Sequence, residues 1–220
     1  MTHLLRTIVL ALLALALTAP GADAWDRGPV TTFATLPAGA TNPEGIAVDH
    51  RGNLYVTTFA VGGTSSGLGQ MFVFDDDGHL KRQVDIAGSS TLLLDLAFHP
   101  VSRDLLVIDF GGKTVLRVHP VTGASSVFTT IPGAGAGPNV LTFDAAGNVY
   151  ISDSFQGVIW KTGPTGGAPT AWVTSPLLQT SGVPPFGANG LAFNRASDAL
   201  FVANTGNDSV VKIPVSGGAA

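Results

Sequence analysis

The stretch N-P-E-G-I-A-V-D at residues 42–49, followed by G-N-L-Y-V at residues 52–56, decides the fold because versions of it recur along the chain. The related pairs of segments are residues 94–98 with 105–108, 139–144 with 147–151, and 189–193 with 199–202. With Ala47, Ala97, Thr142 and Ala192 in register, the repeat lengths are 50, 45 and 50 residues. Repeats of this length that are built from short apolar runs are typical of β-propeller blades.

Each repeat contains short apolar runs bounded by Gly, Asp, Asn or Pro, a pattern that indicates β-strands joined by hairpin turns. The pattern predicts four strands in each of the first three repeats and three in the fourth. We therefore expect an all-β fold, a β-propeller of four-stranded antiparallel blades with about four blades present. A further strand predicted at residues 30–34 would complete the last blade and close a four-blade ring. The alternative is that these blades are part of a six-bladed ring, which at this period takes roughly 300 residues.

Composition excludes several classes of function. The chain has 220 residues, a net charge of −4 from 15 acidic and 11 basic residues, and no cysteine. Disulfide scaffolds, thiol nucleophiles and cysteine zinc sites are therefore excluded. No basic run is longer than the pair Lys81 and Arg82, so we expect no binding to nucleic acid or to an anionic membrane.

The first 24 residues have the features of an export signal. Arg6 precedes an apolar run at residues 8–17, and A-D-A at residues 22–24 fits a cleavage site before Trp25. The apolar run is shorter than a membrane span, and an uncleaved anchor is the alternative. We expect a signal peptide over residues 1–24, a propeller domain over residues 25–220, and a secreted or periplasmic protein that leaves the membrane after cleavage.

Loop lengths distinguish the two faces of the predicted propeller. Tight turns occupy one face, and the longest loops, residues 59–70 and 174–187, fall on the other, where binding sites are usual. Four polar residues stand at the start of the first strand of successive blades on this long-loop face: Glu44, Asp95, Asn139 and Asn189. Carboxylate and amide oxygens that converge on a ring axis predict a hard-cation site, suited to Ca²⁺. The alternative is that these side chains cap strand ends by bonding to backbone groups.

A second set of polar residues stands at the end of the second strand of each blade: Thr58, Asp109, Asp153 and Asn204. We interpret these side chains as locks that satisfy backbone donors of the following loops. Four histidines fall on or beside the tight turns of the opposite face: His50, His79, His99 and His119. Their spacing is not that of a zinc site or of a catalytic triad.

Residues 42–56 and 200–207 resemble NHL-type repeats. The N-G-L-A-F segment at residues 189–193 is similar to a blade start in the family of senescence marker protein, gluconolactonase and luciferin-regenerating enzyme, relatives of strictosidine synthase and the paraoxonases. The resemblance implies a six-bladed propeller that holds one divalent cation, often calcium, near the top of its channel and hydrolyses lactones or related esters. It implies that the cation ligands include Glu44, Asn139, Asn189 and, with a poorer match, Asp95. The family's later-blade catalytic aspartate has no matching position in this sequence.

These observations favour an exported, divalent-metal-dependent hydrolase of lactones or related esters. In that case the cation would polarise the substrate carbonyl, and a carboxylate, Asp95 or Asp153, would take the proton of the attacking water. The alternative is a non-catalytic NHL-like propeller that binds a peptide, glycan or protein partner on its long-loop face. A third hypothesis is an oligomer, in which the chain folds only with a second copy, because open blade edges favour pairing.

Overall fold

The computed structural model describes residues 28–40, 42–61 and 67–215, so the predicted signal peptide lies outside the described residues. The strands are β1 (Pro43–Val48), β2 (Leu54–Thr58), β3 (Gln70–Phe74), β4 (Leu80–Asp85), β5 (Leu93–Phe98), β6 (Leu105–Asp109), β7 (Thr114–Val118), β8 (Ser125–Thr130), β9 (Pro138–Phe143), β10 (Val149–Asp153), β11 (Val158–Gly163), β12 (Gly166–Thr174), β13 (Ala188–Phe193), β14 (Ala199–Asn204) and β15 (Ser209–Pro214). A short 3-10 helix at Pro176–Leu178 lies between β12 and β13. None of the described residues forms a helix with the length and apolar character that crossing a membrane requires.

The strands form four antiparallel sheets in which neighbours along the chain pair, as predicted for propeller blades. Blade 1 contains β1–β4, blade 2 contains β5–β8 and blade 3 contains β9–β12, whereas blade 4 contains only β13–β15 in the described residues. The first strands of successive blades lie next to one another, β1 beside β5, β5 beside β9 and β9 beside β13. These first strands therefore line the inside of the arc of blades. The all-β blade architecture and the three-stranded fourth repeat are confirmed.

The strand predicted at residues 30–34 is not formed, because residues 28–40 contain no β-strand. Instead, Ala34 and Leu36 pack against the free face of blade 1, next to the buried side chain of Val56. In this position the segment covers apolar side chains that pairing at a sheet edge would leave exposed. The alternative of a four-blade ring closed by this strand is therefore wrong, and in the part of the chain that the structure describes the four blades form an open arc, because no strand of blade 4 packs extensively against blade 1.

Apolar layers between neighbouring blades make up the core. Alternate residues of β6 contribute to two layers, since Leu105 and Val107 face blade 1 while Leu106 and Ile108 face blade 3. Burial on both faces explains why this strand is a continuous apolar run in the sequence rather than an alternating one. A third layer joins blades 3 and 4. The layers fix the spacing of the first strands, on which the candidate site is built.

Candidate functional site

All four residues of the predicted cation ring lie at a break in the pairing of a first strand. In each blade two residues of the first strand face a single residue of the second: Glu44-Gly45, Leu94-Asp95, Asn139-Val140 and Asn189-Gly190. Such β-bulges bend a strand and re-aim its side chains, and they are frequent next to functional sites. Asp95 is the second residue of its bulge whereas the other three are the first, which explains why Asp95 is offset by one position in the sequence.

Asp95 and Glu44 are neighbouring carboxylates from blades 2 and 1. Asp95 is half-buried, and its Oδ2 accepts a hydrogen bond from the backbone N–H of Leu141 in blade 3 at 2.9 Å. Burial raises the pKa of Asp95 to about 6, against the lowering effect of hydrogen bonds from Leu141 and Leu96. Glu44 is exposed, yet partial desolvation and the charge of Asp95 raise its pKa. A bound cation would relieve both effects, because it favours the ionised form of each group.

The two asparagines of the ring use their amide N–H groups for hydrogen bonds to hydroxyl groups. Asn139 Nδ2 donates to Ser154 Oγ at 3.2 Å, and Asn189 Nδ2 donates to Thr205 Oγ1 at 3.0 Å. Within the described residues no donor bonds to either amide oxygen, so both oxygens could serve as cation ligands. Among the four ring side chains, only that of Asp95 makes a hydrogen bond to a backbone group within the described residues. Strand capping therefore accounts for one member of the set.

Asp153, predicted both as a loop lock and as a possible base, is buried and surrounded by donors. Its Oδ1 accepts hydrogen bonds from the backbone N–H groups of Gly137, Phe155 and Gln156, each at 3.1 Å. Its Oδ2 accepts from Gln156 Nε2 at 2.6 Å and from Trp160 Nε1 at 3.1 Å. Five donors leave little capacity for a substrate proton. This geometry favours the structural role of Asp153 over a catalytic one.

Two other residues of the second set also hold loops, one by accepting hydrogen bonds from backbone N–H groups and one by donating hydrogen bonds to backbone carbonyl oxygens. Asp109 accepts hydrogen bonds from the backbone N–H groups of Ser90 at 3.0 Å and Gly112 at 2.9 Å, and also from the Ser90 hydroxyl. Asn204 Nδ2 donates to the carbonyl oxygens of Leu177 at 2.9 Å and Gln179 at 2.7 Å. These contacts tie the ends of β6 and β14 to neighbouring loops of the long-loop face.

The long-loop face also carries an aromatic arc that the sequence analysis missed, formed by Phe59, Phe110, Phe155 and Phe186. Consecutive ring centroids are 5.7 Å, 5.9 Å and 5.6 Å apart, so the rings form one continuous row from blade 1 to the loop before blade 4. Phe155 remains 45% exposed. The signal was present in the sequence, because Phe59, Phe110 and Phe155 each follow a residue of the second polar set by one or two positions.

The donor set of the candidate site is mixed. The described residues contain no group of three or more acidic, histidine or cysteine side chains that could hold a metal ion. The ring supplies two carboxylates and two amides. A cation bound there would therefore depend on amide and water oxygens for its remaining ligands, a combination typical of Ca²⁺.

A family model described as "Strictosidine synthase-like, N-terminal" matches residues 31–60. The matched segment contains Glu44 and the first two strands of blade 1, so it supports the resemblance drawn from the sequence. No curated protein sequence matches the chain.

Solved structures extend the comparison to the whole arc of blades. A gluconolactonase from Xanthomonas campestris is 18% identical with a TM-score of 0.59, over 80% of this chain and 59% of that one. The chain has the β-propeller fold. A catalytically inactive virginiamycin B lyase from Staphylococcus aureus, solved with quinupristin, is 13% identical with a TM-score of 0.59, over 84% of this chain and 59% of that one. A luciferin-regenerating enzyme is 21% identical with a TM-score of 0.51, over 72% of this chain and 52% of that one. The chain thus spans between half and two thirds of the length of these three propellers.

Proposed function

We propose that this protein is a propeller hydrolase of lactones or related esters that depends on a divalent cation, with Ca²⁺ the best match. The observation that carries the proposal is the placement of Glu44, Asp95, Asn139 and Asn189 in equivalent bulges of the four innermost strands. The gluconolactonase among the similar propellers agrees with this substrate class. Secretion or a periplasmic location, proposed from residues 1–24, would place the site outside the cytoplasm, where calcium sites of low affinity are found.

The ring residues divide the chemistry between them. A cation held by Glu44 and the amide oxygens of Asn139 and Asn189 would polarise the ester carbonyl and acidify a bound water. Asp95 is the better of the two base candidates, because a pKa of about 6 lies near neutral pH and one of its oxygens is held in place by Leu141. Asp153 then acts at a distance from the reaction, as the lock of the loop after β10.

The aromatic arc suggests what the rest of the substrate is like. Phe155 and Phe186 stack at an interplanar angle of 27°, and Phe110 meets Phe155 edge to face. Phe155 is exposed and the other three rings are partly buried, so the row offers an apolar surface on the same face as the ring. We therefore propose that the preferred ester carries an apolar or ring-shaped group that lies on the arc.

The second candidate is a non-catalytic propeller that binds a peptide, glycan or protein partner on the long-loop face. The same aromatic arc favours it, since aromatic side chains such as the exposed Phe155 are enriched in surfaces that bind partners. Activity therefore decides between the two, and calcium binding decides whether the ring is a cation site at all.

The decisive experiment measures thermal unfolding of the purified chain, first with chelator and then with a calcium titration. Because a ligand that binds only the folded state stabilises it by mass action, we expect the melting temperature to rise by several degrees at saturation. Glu44→Gln should weaken calcium binding by about tenfold or more, because charge count tunes such sites. Asp208→Asn, which removes an exposed carboxylate outside the ring, is the matched control.

Hydrolysis of a panel of lactones and aryl esters, with and without chelator, completes the test. Activity that chelator abolishes would establish the hydrolase. A cooperative melt that ignores calcium and other divalent cations would contradict the cation site. Calcium binding without turnover of any ester would leave the partner-binding propeller as the better proposal.

A further inference from the structure

A groove of about 780 Å³ opens on the tight-turn face, opposite the candidate cation ring, between blades 1 and 2. Three separate segments each contribute an arginine to its lining. Arg51 comes from the turn between β1 and β2, Arg82 from β4, and Arg103 from the turn between β5 and β6. The groove is therefore assembled by the packing of two blades and is not the property of one loop.

The three guanidinium groups have no anionic partner in the part of the chain that the structure describes. No ion pair and no side-chain hydrogen bond there involves Arg51, Arg82 or Arg103. By contrast, Arg117 Nε lies 2.9 Å from Asp104 Oδ2, and Lys81 Nζ donates to Asn53 Oδ1 at 2.7 Å. Three of the 11 basic residues of a chain with a net charge of −4 are thus gathered in one groove and left available.

The acidic residues of the groove, Asp49, Asp75 and Asp76, do not neutralise these arginines by contact. Asp49 accepts hydrogen bonds from the backbone N–H of Arg51 at 2.8 Å, and its other oxygen accepts from Asn53 Nδ2 at 2.7 Å and Tyr55 Oη at 3.2 Å. Asp75 likewise accepts from backbone N–H groups of its own turn. Asp49 and Asp75 are therefore committed to holding turns, whereas the Asp76 side chain makes no hydrogen bond and no ion pair in the described part of the chain.

Tyr55 lies in the lining of the groove together with Arg51 and Arg82. Burial raises the pKa of Tyr55 and the charge of Asp49 adds to the rise, whereas the charges of Arg82 and Arg51 oppose it. Apolar side chains, among them Phe98 and Val121, form the neighbouring wall.

Arg103 occupies a backbone position that suits glycine. Its φ is +65°, in the left-handed region. Four other turns of the same face have glycine at the equivalent position: Gly52, Gly78, Gly123 and Gly147, with φ between +72° and +85°. The turn H-P-V-T-G at residues 119–123 differs from H-P-V-S-R at residues 99–103 only by Ser for Thr and Arg for Gly. Arg103 thus stands at a position where glycine would be less strained.

We propose that this groove binds an organic phosphate, with the phosphate group held by Arg51, Arg82 and Arg103 and an apolar body against Phe98 and Val121. Guanidinium groups match phosphate geometry with paired hydrogen bonds. The site is independent of the proposed hydrolase, since it lies on the opposite face and uses none of the cation-ring residues.

Isothermal titration of the full chain at low ionic strength, without added metal, tests the proposal with phenyl phosphate, inorganic phosphate and phenol as probes. We expect phenyl phosphate to bind more tightly than inorganic phosphate, phenol not to bind, and added salt to weaken both phosphates. Arg103→Gly should lower the affinity for phenyl phosphate by about tenfold, since hydrogen bonds to charged groups are strong.

A loss of affinity in Arg103→Gly would not reflect misfolding, because glycine suits the backbone conformation of this turn. Without ligand, Arg103→Gly should melt at the same temperature as the unchanged protein or higher. Arg195→Gln, which removes an exposed charge from a turn of the same face in blade 4, should bind phenyl phosphate like the unchanged protein. The proposal is overturned if the unchanged protein does not bind phenyl phosphate, if Arg103→Gly binds it equally well, or if Arg195→Gln weakens binding as much as Arg103→Gly.

Discussion

Asp95 is the residue at which folding and the proposed activity conflict most clearly. It is half-buried, its only side-chain hydrogen bonds within the described residues come from backbone N–H groups, and Glu44 places a second negative charge nearby. No basic side chain pairs with it in that part of the chain. A carboxylate in such a place destabilises the fold when it ionises. The proposed cation site accounts for this destabilisation, because a pair of ionised carboxylates is what a cation would bind.

The first prediction concerns Asp95→Asn and the pH dependence of stability without metal. The pKa of Asp95 is raised from 3.8 to about 6 in the folded protein, so the folded state binds the proton more tightly than the unfolded state. Stability is therefore fully present below pH 4 and falls as the pH rises to about 6. Asp95→Asn should remove this loss and gain about 3 kcal/mol at pH 7, because the pKa difference of about two units corresponds to about 1.4 kcal/mol for each unit.

Urea unfolding of both proteins from pH 3.5 to pH 8 measures the effect. The two should differ little at pH 3.5, because the asparagine oxygen can still accept the hydrogen bond from Leu141. Saturating calcium should reverse the order at pH 7, since the negative charge of Asp95 beside Glu44 attracts the cation and an asparagine does not. An asparagine variant that is less stable at pH 7 without metal would mean that the charge of Asp95 is already compensated.

The ring residues could be predicted from the sequence because they occupy equivalent positions in repeats whose similarity is clear from the sequence alone. It could not show the bulges, since a register break depends on which partner residues a strand pairs with. Nor could it show that Asn139 and Asn189 bond to hydroxyl groups through their amide nitrogens. The free amide oxygens, on which the cation proposal depends, follow from those contacts alone.

At the scale of the hairpin, several turns are held by a side chain that accepts hydrogen bonds from backbone N–H groups of the same turn. The side chain is an aspartate in two blades and a histidine in another. In blades 1 and 3 an aspartate, Asp49 or Asp144, accepts from the backbone N–H four residues on, at 2.9 Å in both, and from a tyrosine hydroxyl six residues on. In blade 2, His99 and His119 do this work, since each Nδ1 accepts hydrogen bonds from the backbone two and three residues on. The histidines therefore have a structural role.

The second prediction tests the loop lock at the end of β10 through Asp153→Asn. An asparagine would present an N–H group to donors that now meet a carboxylate oxygen, so at least two hydrogen bonds to a charged group would be lost. We expect the free energy of unfolding to fall by about 3 kcal/mol. Calcium affinity, corrected for stability, should not change. A variant that is fully stable but inactive toward esters would instead make Asp153 the base.

The strands were predictable because their apolar runs are short and are separated by turn residues that allow few other structures. The strand predicted at residues 30–34 is wrong for the opposite reason. An apolar stretch with the same sequence pattern can either pair at a sheet edge or pack on a sheet face. Likewise, the aromatic arc joins residues from four separate segments. Only the packing of blades against one another brings Phe59, Phe110, Phe155 and Phe186 into a row.

At the scale of the whole molecule, the arc has two covered blades and two end blades. Blades 2 and 3 have an apolar layer on each face. Blade 1 has a free face on which Ile46 is 63% exposed and Val48 is 60% exposed, with residues 33–40 covering part of it. Blade 4 has three strands in the described residues, and Val210 on β15 is 71% exposed. Stability should therefore differ from blade to blade.

The last prediction is a gradient of hydrogen exchange along the arc. In a structure built from repeats each unit is stabilised mainly by its neighbours, so the units with one neighbour open first. We expect the amides of β6 and β10 to exchange most slowly and those of β13–β15 to exchange at least about tenfold faster, which corresponds to about 1.4 kcal/mol. Exchange measured by mass spectrometry on peptides from each blade provides the test.

Two further conditions distinguish the causes of any departure from this gradient. Calcium should slow exchange in all four blades together, because the proposed ring takes one residue from each, and blade 4 should gain most since it starts least protected. Protection of β15 that increases with protein concentration would mean that a second copy covers this strand of blade 4. Equal protection of all blades at every concentration, without calcium, would contradict the idea that each blade depends on its neighbours, since blade 4 would then be as stable as the covered blades.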